Sequence, residues 1–427
     1  SAEAIISQLG IDIDGEAAGD QSGYSVSLSN DGTRVAIGAP QNDGAGAAKA
    51  GAGQVRVYEW DDVASSWFQA GADIFGESAG DRFGWSVSLS SDGSRIAIGA
   101  PGYDYFGETA GHVKVYEWND VTSGWDKLGN DIVGEAAADF SGFSVSLSGD
   151  GSSVAIGAIN NGGYAGHVRV YKLGGATWTR VGLDIDGKVA FERSGRSVSL
   201  SENGSIVAIG APDSDVNGVY AGNVRVYKWN DVTSGWLQVG GDIDGEAAYD
   251  RFGWSVSLIS DGSRIAIGAP RLPPADMTDF GGHVRVYEWN DVTSGWLQVG
   301  ADINGEAAND HSGFSVSLSG GGTRVAIGTH NFYLGMTGHV RVYEWNDVTS
   351  GWLQVGADID GEAVDNSYGF SVSLSSDGTR VAIGAPGYDS ASKTDVGSVS
   401  LFSIPTPSPA PAPYTGPLLQ DFSSRTL

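Results

Sequence analysis

The 427-residue sequence contains no cysteine, which excludes disulfides, thiolate metal sites and thiol nucleophiles together. Basic residues are scarce: 24 Lys and Arg stand against 52 Asp and Glu, a formal net charge of −28. A surface of that sign repels phosphate backbones and anionic lipid, so nucleic acid and anionic membrane are not expected as partners. No run of 18 apolar residues occurs, so nothing in this segment is expected to insert into a bilayer as a helix. No stretch carries a 3.6-residue apolar stripe either. Ser1 opens no leader-like segment, and a mature secreted chain would already have lost one. Catalytic motifs are absent as well: there is no HExxH, no nucleophile elbow and no isolated Ser–His–Asp set. His112, His167, His283 and His339 share one equivalent repeat position, as structural residues do and a unique catalytic centre does not.

What the chain has in abundance is itself. The string SVSL begins at Ser25, Ser86, Ser144, Ser197, Ser255, Ser315 and Ser371, at intervals of 61, 58, 53, 58, 60 and 56 residues. Each copy is followed by a VAIG-type string, a GHVRVYEW-type string and a GWLQVGADIDGEA-type string. A period of this length indicates a solenoid, a propeller or an array. Within a block, short alternating runs rich in Val, Ile, Tyr and Trp are broken by Gly, Asn, Asp and Ser, which is strand and turn chemistry. In the first block the strands are expected at about residues 24–29, 33–39, 54–60 and 67–70. An Asp-Gly hairpin joins the first two, because Asp-Gly tolerates the positive φ of a tight turn. Four antiparallel strands repeated seven times predict an all-β fold, a seven-bladed β-propeller.

The chain ends support a closed ring. The last block stops after its third strand at GSVSLF, residues 397–402, while its missing fourth-strand text stands at the N-terminus as SQLGIDIDGEA, residues 7–17. Residues 5–9 are therefore expected to pair with 398–402 and complete the last blade, leaving no open edge. Residues 1–404 form the propeller on this reading, and 405–427 form a Pro-rich tail. The string PTPSPAPAPYTGP favours polyproline II, the conformation of a stalk or linker.

Two recurring motifs carry a family resemblance. FGWSVSL at 83–89 and 252–258, YGFSVSL at 368–374, and GAP at 38–40, 99–101, 210–212, 268–270 and 384–386 resemble the two halves of FG-GAP repeats. Such repeats build the seven-bladed N-terminal propeller of integrin α subunits, so the resemblance implies that fold and a cell-surface or extracellular adhesion role. It covers about residues 1–404. Calcium-binding members carry a DxDxDG-like loop between the first two strands. Here that loop is only SNDG, SSDG, SGDG, SENG, ISDG, SGGG or SSDG, so those calcium sites are not implied. The SxDG hairpin is also similar to that of WD-repeat propellers.

Function is expected where near-identical repeats differ, in the loops between second and third strands. These loops hold Tyr103, Asp104, Tyr105, Phe106, Tyr164, Tyr220, Phe280, Phe332 and Tyr333 as candidate ligand-binding residues. Aromatics among Asp and Asn suit carbohydrate or protein partners. A second candidate is the crossover DIDGEAAxD, with Asp12, Asp14, Glu16 and Asp20 recurring as Asp242, Asp244, Glu246 and Asp250. Oxygens at this spacing could hold Ca²⁺. However, Phe75, Val133 and Lys188 interrupt the pattern, so a role fixing the crossover through backbone N–H bonds competes with metal binding, and no cofactor is required. On the third strand Arg56, Arg169, Arg225, Arg285 and Arg341 are expected to pair with carboxylates on the blade surface. The sequence thus points to a non-enzymatic extracellular or cell-surface binding module. A structural subunit self-associating through propeller and tail is the alternative, and a glycan-active hydrolase or lyase the weakest reading.

Overall fold

The computed structural model describes residues 5–44, 49–102, 110–272, 281–330, 337–390 and 393–406. Seven antiparallel sheets stand around a central axis, each with its SVSL strand innermost. In the first blade the strands run Ser25–Leu28, Arg34–Ala39, Gln54–Asp61 and Ser66–Gln69. The outermost strand is split: Ile74–Phe75 continues along the same edge, pairing with Gln54 and Val55 where Ser66–Gln69 pairs further along the third strand. This interruption recurs in every blade and was not legible in the alternation pattern. The blade seams bury the core. Between blades one and two, Val55, Val57, Ile96, Ile98 and Phe83 are all at most 2% exposed. Each such side chain contributes about 1.5–3 kcal/mol. Among the described residues the only helix is a four-residue turn at Asn161–Tyr164, and no helix is long and apolar enough to cross a membrane.

The repeated SVSL string has a specific cause. The first serine of each copy donates its hydroxyl to a glycine carbonyl of the next blade, Ser25 Oγ to Gly84 O and onward to Ser371 Oγ to Gly23 O. All seven bonds measure 2.8–2.9 Å. The second serine accepts the neighbouring blade's leucine N–H, as Ser373 Oγ does from Leu28 N, again seven times at 2.9–3.0 Å. A third ring closes one mouth of the channel. Asn30, Ser91, Gly149, Glu202, Ser260, Gly320 and Ser376 each donate a backbone N–H to the next residue's carbonyl, returning to Asn30. Each hydroxyl or amide bond is worth only about 1 kcal/mol net, but together they fix the blade count and angle.

Ring closure is as the chain ends predict. Ser7 and Gln8 pair with Ser403 and Phe402, Leu9 N donates to Leu401 O at 2.7 Å, and Ile13–Asp14 pairs with Val399 and Ser398.

Tryptophan pairs face each other across the third-to-outer hairpins on the outer half of the blades, Trp60–Trp67 with ring centroids 5.3 Å apart and Trp229–Trp236 at 5.4 Å. The outer-strand indole does more than pack. Its Nε1–H donates to a carbonyl just past the preceding blade's outer strand, in six seams, at 2.8–3.0 Å. The third blade, expected to be irregular because Leu173 replaces the first Trp, keeps the regular register with Leu173 opposite Trp178. Its distinguishing feature is a tighter hairpin turned at Gly175 (φ +64°), and its inner-strand register shift is shared with blade six. Trp178 alone suffices for the latch: it is 3% exposed and donates to Leu128 O at 2.8 Å. Trp178→Phe is expected to cost about 1 kcal/mol for the lost bond, and Trp178→Ala about 3–5 kcal/mol for the cavity. Urea midpoints of the two variants check this; a Trp178→Phe protein as stable as the parent would mean that the indole N–H contributes nothing.

Candidate functional site

The inner strands begin, the second strands end and the DIDGE crossovers run on one face of the ring, together with the loops from second to third strand. At its centre stands the residue immediately before each SVSL: Tyr24, Trp85, Phe143, Arg196, Trp254, Phe314 and Phe370. Strand alternation puts this side chain on the same face as the buried Val and Leu of SVSL, one step nearer the mouth. The seven touch in sequence round the axis. Ring centroids lie 4.5 Å apart for Tyr24–Trp85, 5.5 Å for Trp85–Phe143, 5.5 Å for Trp254–Phe314, 5.0 Å for Phe314–Phe370 and 4.7 Å for Phe370–Tyr24. Arg196 completes the belt, its guanidinium carbon 4.8 Å from the Phe143 centroid and 3.9 Å from that of Trp254. Burial among these rings pushes the Arg196 guanidinium down to about 10 and the Tyr24 hydroxyl up.

Three residues before each belt member the backbone turns left-handed. Gln21, Arg82, Phe140, Arg193, Arg251, His311 and Ser367 all have φ between 50° and 58°. Strain repeated at one position in every blade is stored by the fold and aims these side chains round the mouth. Arg82 lies over Trp85, and Arg251 over Tyr220 at 4.3 Å. Arg193 and Arg251 both pair with Asp213, and Arg271 pairs with Asp250 at 2.8 Å. In a chain so poor in cations, this concentration of arginine is distinctive.

Of the loop candidates, Tyr164 and Tyr220 lie on this face. Tyr164 is 44% exposed and stacks on Phe191 with centroids 5.6 Å apart and planes 11° from parallel. Phe191 is 66% exposed. Tyr220 meets Tyr249 edge-on at 6.2 Å. Tyr103, Asp104, Tyr105, Phe106, Phe280, Phe332 and Tyr333 lie outside the described residues.

The crossover carboxylates have protein partners for the most part. Asp12 accepts from Gln8, Glu16 from Gln54, and Asp242 from Lys188, Arg225 and Gln238. Glu246 pairs with Arg285 at 2.7 Å. Asp20 and Asp250 are buried and each accepts a backbone N–H three residues earlier, from Ala17 and Ala247. Asp14 supplies its backbone carbonyl to Arg56, while Asp244 keeps one buried oxygen without a partner, its pKa raised by burial and by Asp242. The described residues bring two other triads together, Glu135–His167–Asp184 and His339–Asp358–Asp360, and in the first Arg169 already bridges both carboxylates. The third-strand arginines are buried rather than superficial, because the crossovers cover them. Arg225 is 2% exposed between Glu192 and Asp242, and Arg285 ties Glu246 of one crossover to Asp302 of the next.

The aromatic belt was the feature that sequence reasoning passed over. Its signal was present, an aromatic before SVSL in six of seven repeats, but it was absorbed into the FG motif.

A family model described as "FG-GAP repeat" matches residues 76–116, from a crossover into the second blade's third strand. No curated protein sequence matches significantly. Among solved structures, Kuenenia stuttgartiensis hydrazine synthase superposes with a TM-score of 0.54 at 13% identity, covering 87% of this chain and 94% of that one. A putative 6-phosphogluconolactonase from Bacteroides uniformis gives 0.52 at 10% identity, covering 80% and 89%. At such identities the likeness is one of fold alone. The glycine logic of the two half-motifs recurs at all seven seams, where the FG-position glycine carbonyl of one blade abuts the GAP-position glycine of its neighbour. The chain is a seven-bladed β-propeller whose residues 76–116 match the FG-GAP repeat.

Proposed function

We propose that the protein is a non-enzymatic binding or adhesion module of the cell surface or extracellular space, engaging carbohydrate or protein through the belt face. The observation that carries this reading is the exposed Tyr164–Phe191 stack beside a continuous aromatic belt. Flat apolar rings with polar rims offer large contact area at low entropic cost. The sevenfold fabric supports it too, since the inner-strand serines, the seam glycines and the outer-strand tryptophans are spent on holding blades together. The Pro-rich composition of 405–427 would suit a stalk presenting this face.

The triple variant Tyr164→Ala, Phe191→Ala, Tyr220→Ala is expected to lose at least about tenfold in affinity for ligands found on glycan and surface-protein arrays, about 1.4 kcal/mol or more. Its melting temperature should stay near that of the parent, because these side chains are exposed or only half-buried. Unchanged array binding would move the function to the opposite face.

A further inference from the structure

The belt holds six uncharged rings and a single cation, and that cation has no carboxylate of its own. Among the described residues Arg196 makes no hydrogen bond or ion pair, while its neighbours Arg193 and Arg251 both bind Asp213. Three guanidiniums therefore share one carboxylate at this point of the mouth. Several other arginines are paired closely, Arg225 with Glu192 and Asp242, Arg285 with Glu246 and Asp302, Arg324 with Glu344, while Arg56 is held by the Tyr58 hydroxyl, the Asp14 carbonyl and Ser22. Arg196 is half-buried rather than sealed in the core. A guanidinium laid on an indole face keeps its N–H groups in its own plane, where they form a fork matching the two oxygens of a carboxylate.

We propose that the channel mouth at Arg196 is a binding site for an acidic saccharide, its carboxylate on the Arg196 fork and its ring on the adjoining aromatics. The assignment rests on the binding-module reading and narrows it to a ligand class. A uronate unit matches both halves of the site: the carboxylate needs a fork donor, and the pyranose needs apolar rings beside it, which Phe143 and Trp254 of the belt provide. The chain is strongly acidic overall, and at this mouth three guanidiniums share Asp213, so an acidic saccharide meets cations here.

The test is calorimetric titration with a hexamer of galacturonate and with the same hexamer after its carboxyls are reduced to alcohols. The intact protein should bind the acidic hexamer at least tenfold more tightly than the neutral one, and less tightly as salt rises. Arg196→Phe places in blade four the residue that blades three, six and seven already carry, so it should fold with an unchanged melting temperature. It should lose the tenfold preference, and Arg196→Lys should regain only part of it. Equal binding of acidic and neutral hexamers by the parent, or an undiminished preference in Arg196→Phe, would overturn the proposal. Tighter binding of hexaglutamate than of the hexauronate would overturn the saccharide assignment. If both hexamers bind alike and the Tyr164, Phe191 and Tyr220 triple variant loses both, the binding-face reading stands and the acidic-ligand site falls.

Discussion

A chain lacking residues 1–10 is expected to lose stability by about 3 kcal/mol or more and to aggregate on warming. The deletion removes Ser7 and Gln8 from the seventh blade's edge and with them the Leu9 bond to Leu401 O. Ile6 and Leu9, both half-buried against seam cores, go too, each contributing part of the about 1.5–3 kcal/mol of a fully buried side chain. The damage crosses the seam, because Leu9 O is the acceptor of the Trp67 indole of blade one at 3.0 Å. One cut thus strips an outer strand from one blade and unlatches the next. The edge freed over residues 401–403 carries Leu401, 1% exposed in the closed ring, and offers a template for pairing with other chains. Urea midpoints and light scattering measure the two effects. A synthetic peptide of residues 5–14 supplied in excess should restore part of the loss by mass action. A truncated chain that melts like the parent would contradict closure by the N-terminal strand.

The features legible in the sequence were those set by periodicity and by turn chemistry. Strand order, blade number and the shared last blade all follow from lining up seven similar texts, and the described structure places them where alternation and Asp-Gly turns put them. What was hidden depends on contacts between blades. The serines of SVSL read as ordinary solvent-side positions of a strand, yet both are seam atoms, one donating to a glycine carbonyl and one accepting from a leucine N–H. Arg225 and Arg285 alternate with core valines and so read as surface residues; only the crossover folded over them makes them interior. The belt was obscured in the same way. Each aromatic looks like a local motif residue until seven copies converge on one axis, and then the exception at Arg196 becomes the informative member.

The second large effect is expected from a single methyl group. A Cβ placed on Gly210 would stand 2.0 Å from the Gly253 carbonyl oxygen of the next blade, against main chain that cannot rotate away. The same carbonyl accepts the Ser197 hydroxyl at 2.8 Å, so Gly210→Ala must both spread the seam and break that bond. Gly253 cannot yield, since it is held at φ +88° and itself abuts the Asn223 carbonyl. Overpacking a seam costs about 1–3 kcal/mol, and the lost bond adds about 1 kcal/mol. Gly210→Ala is therefore expected to destabilise by roughly 2–4 kcal/mol. Gly241→Ala is the control, because a Cβ there meets nothing within 4 Å and the residue is not left-handed. The control should melt like the parent by calorimetry while Gly210→Ala melts well below it. A Gly210→Ala protein as stable as the control would mean that blades four and five do not meet through their glycine backbones. The FG and GAP half-motifs would then need an explanation other than the close approach of two main chains.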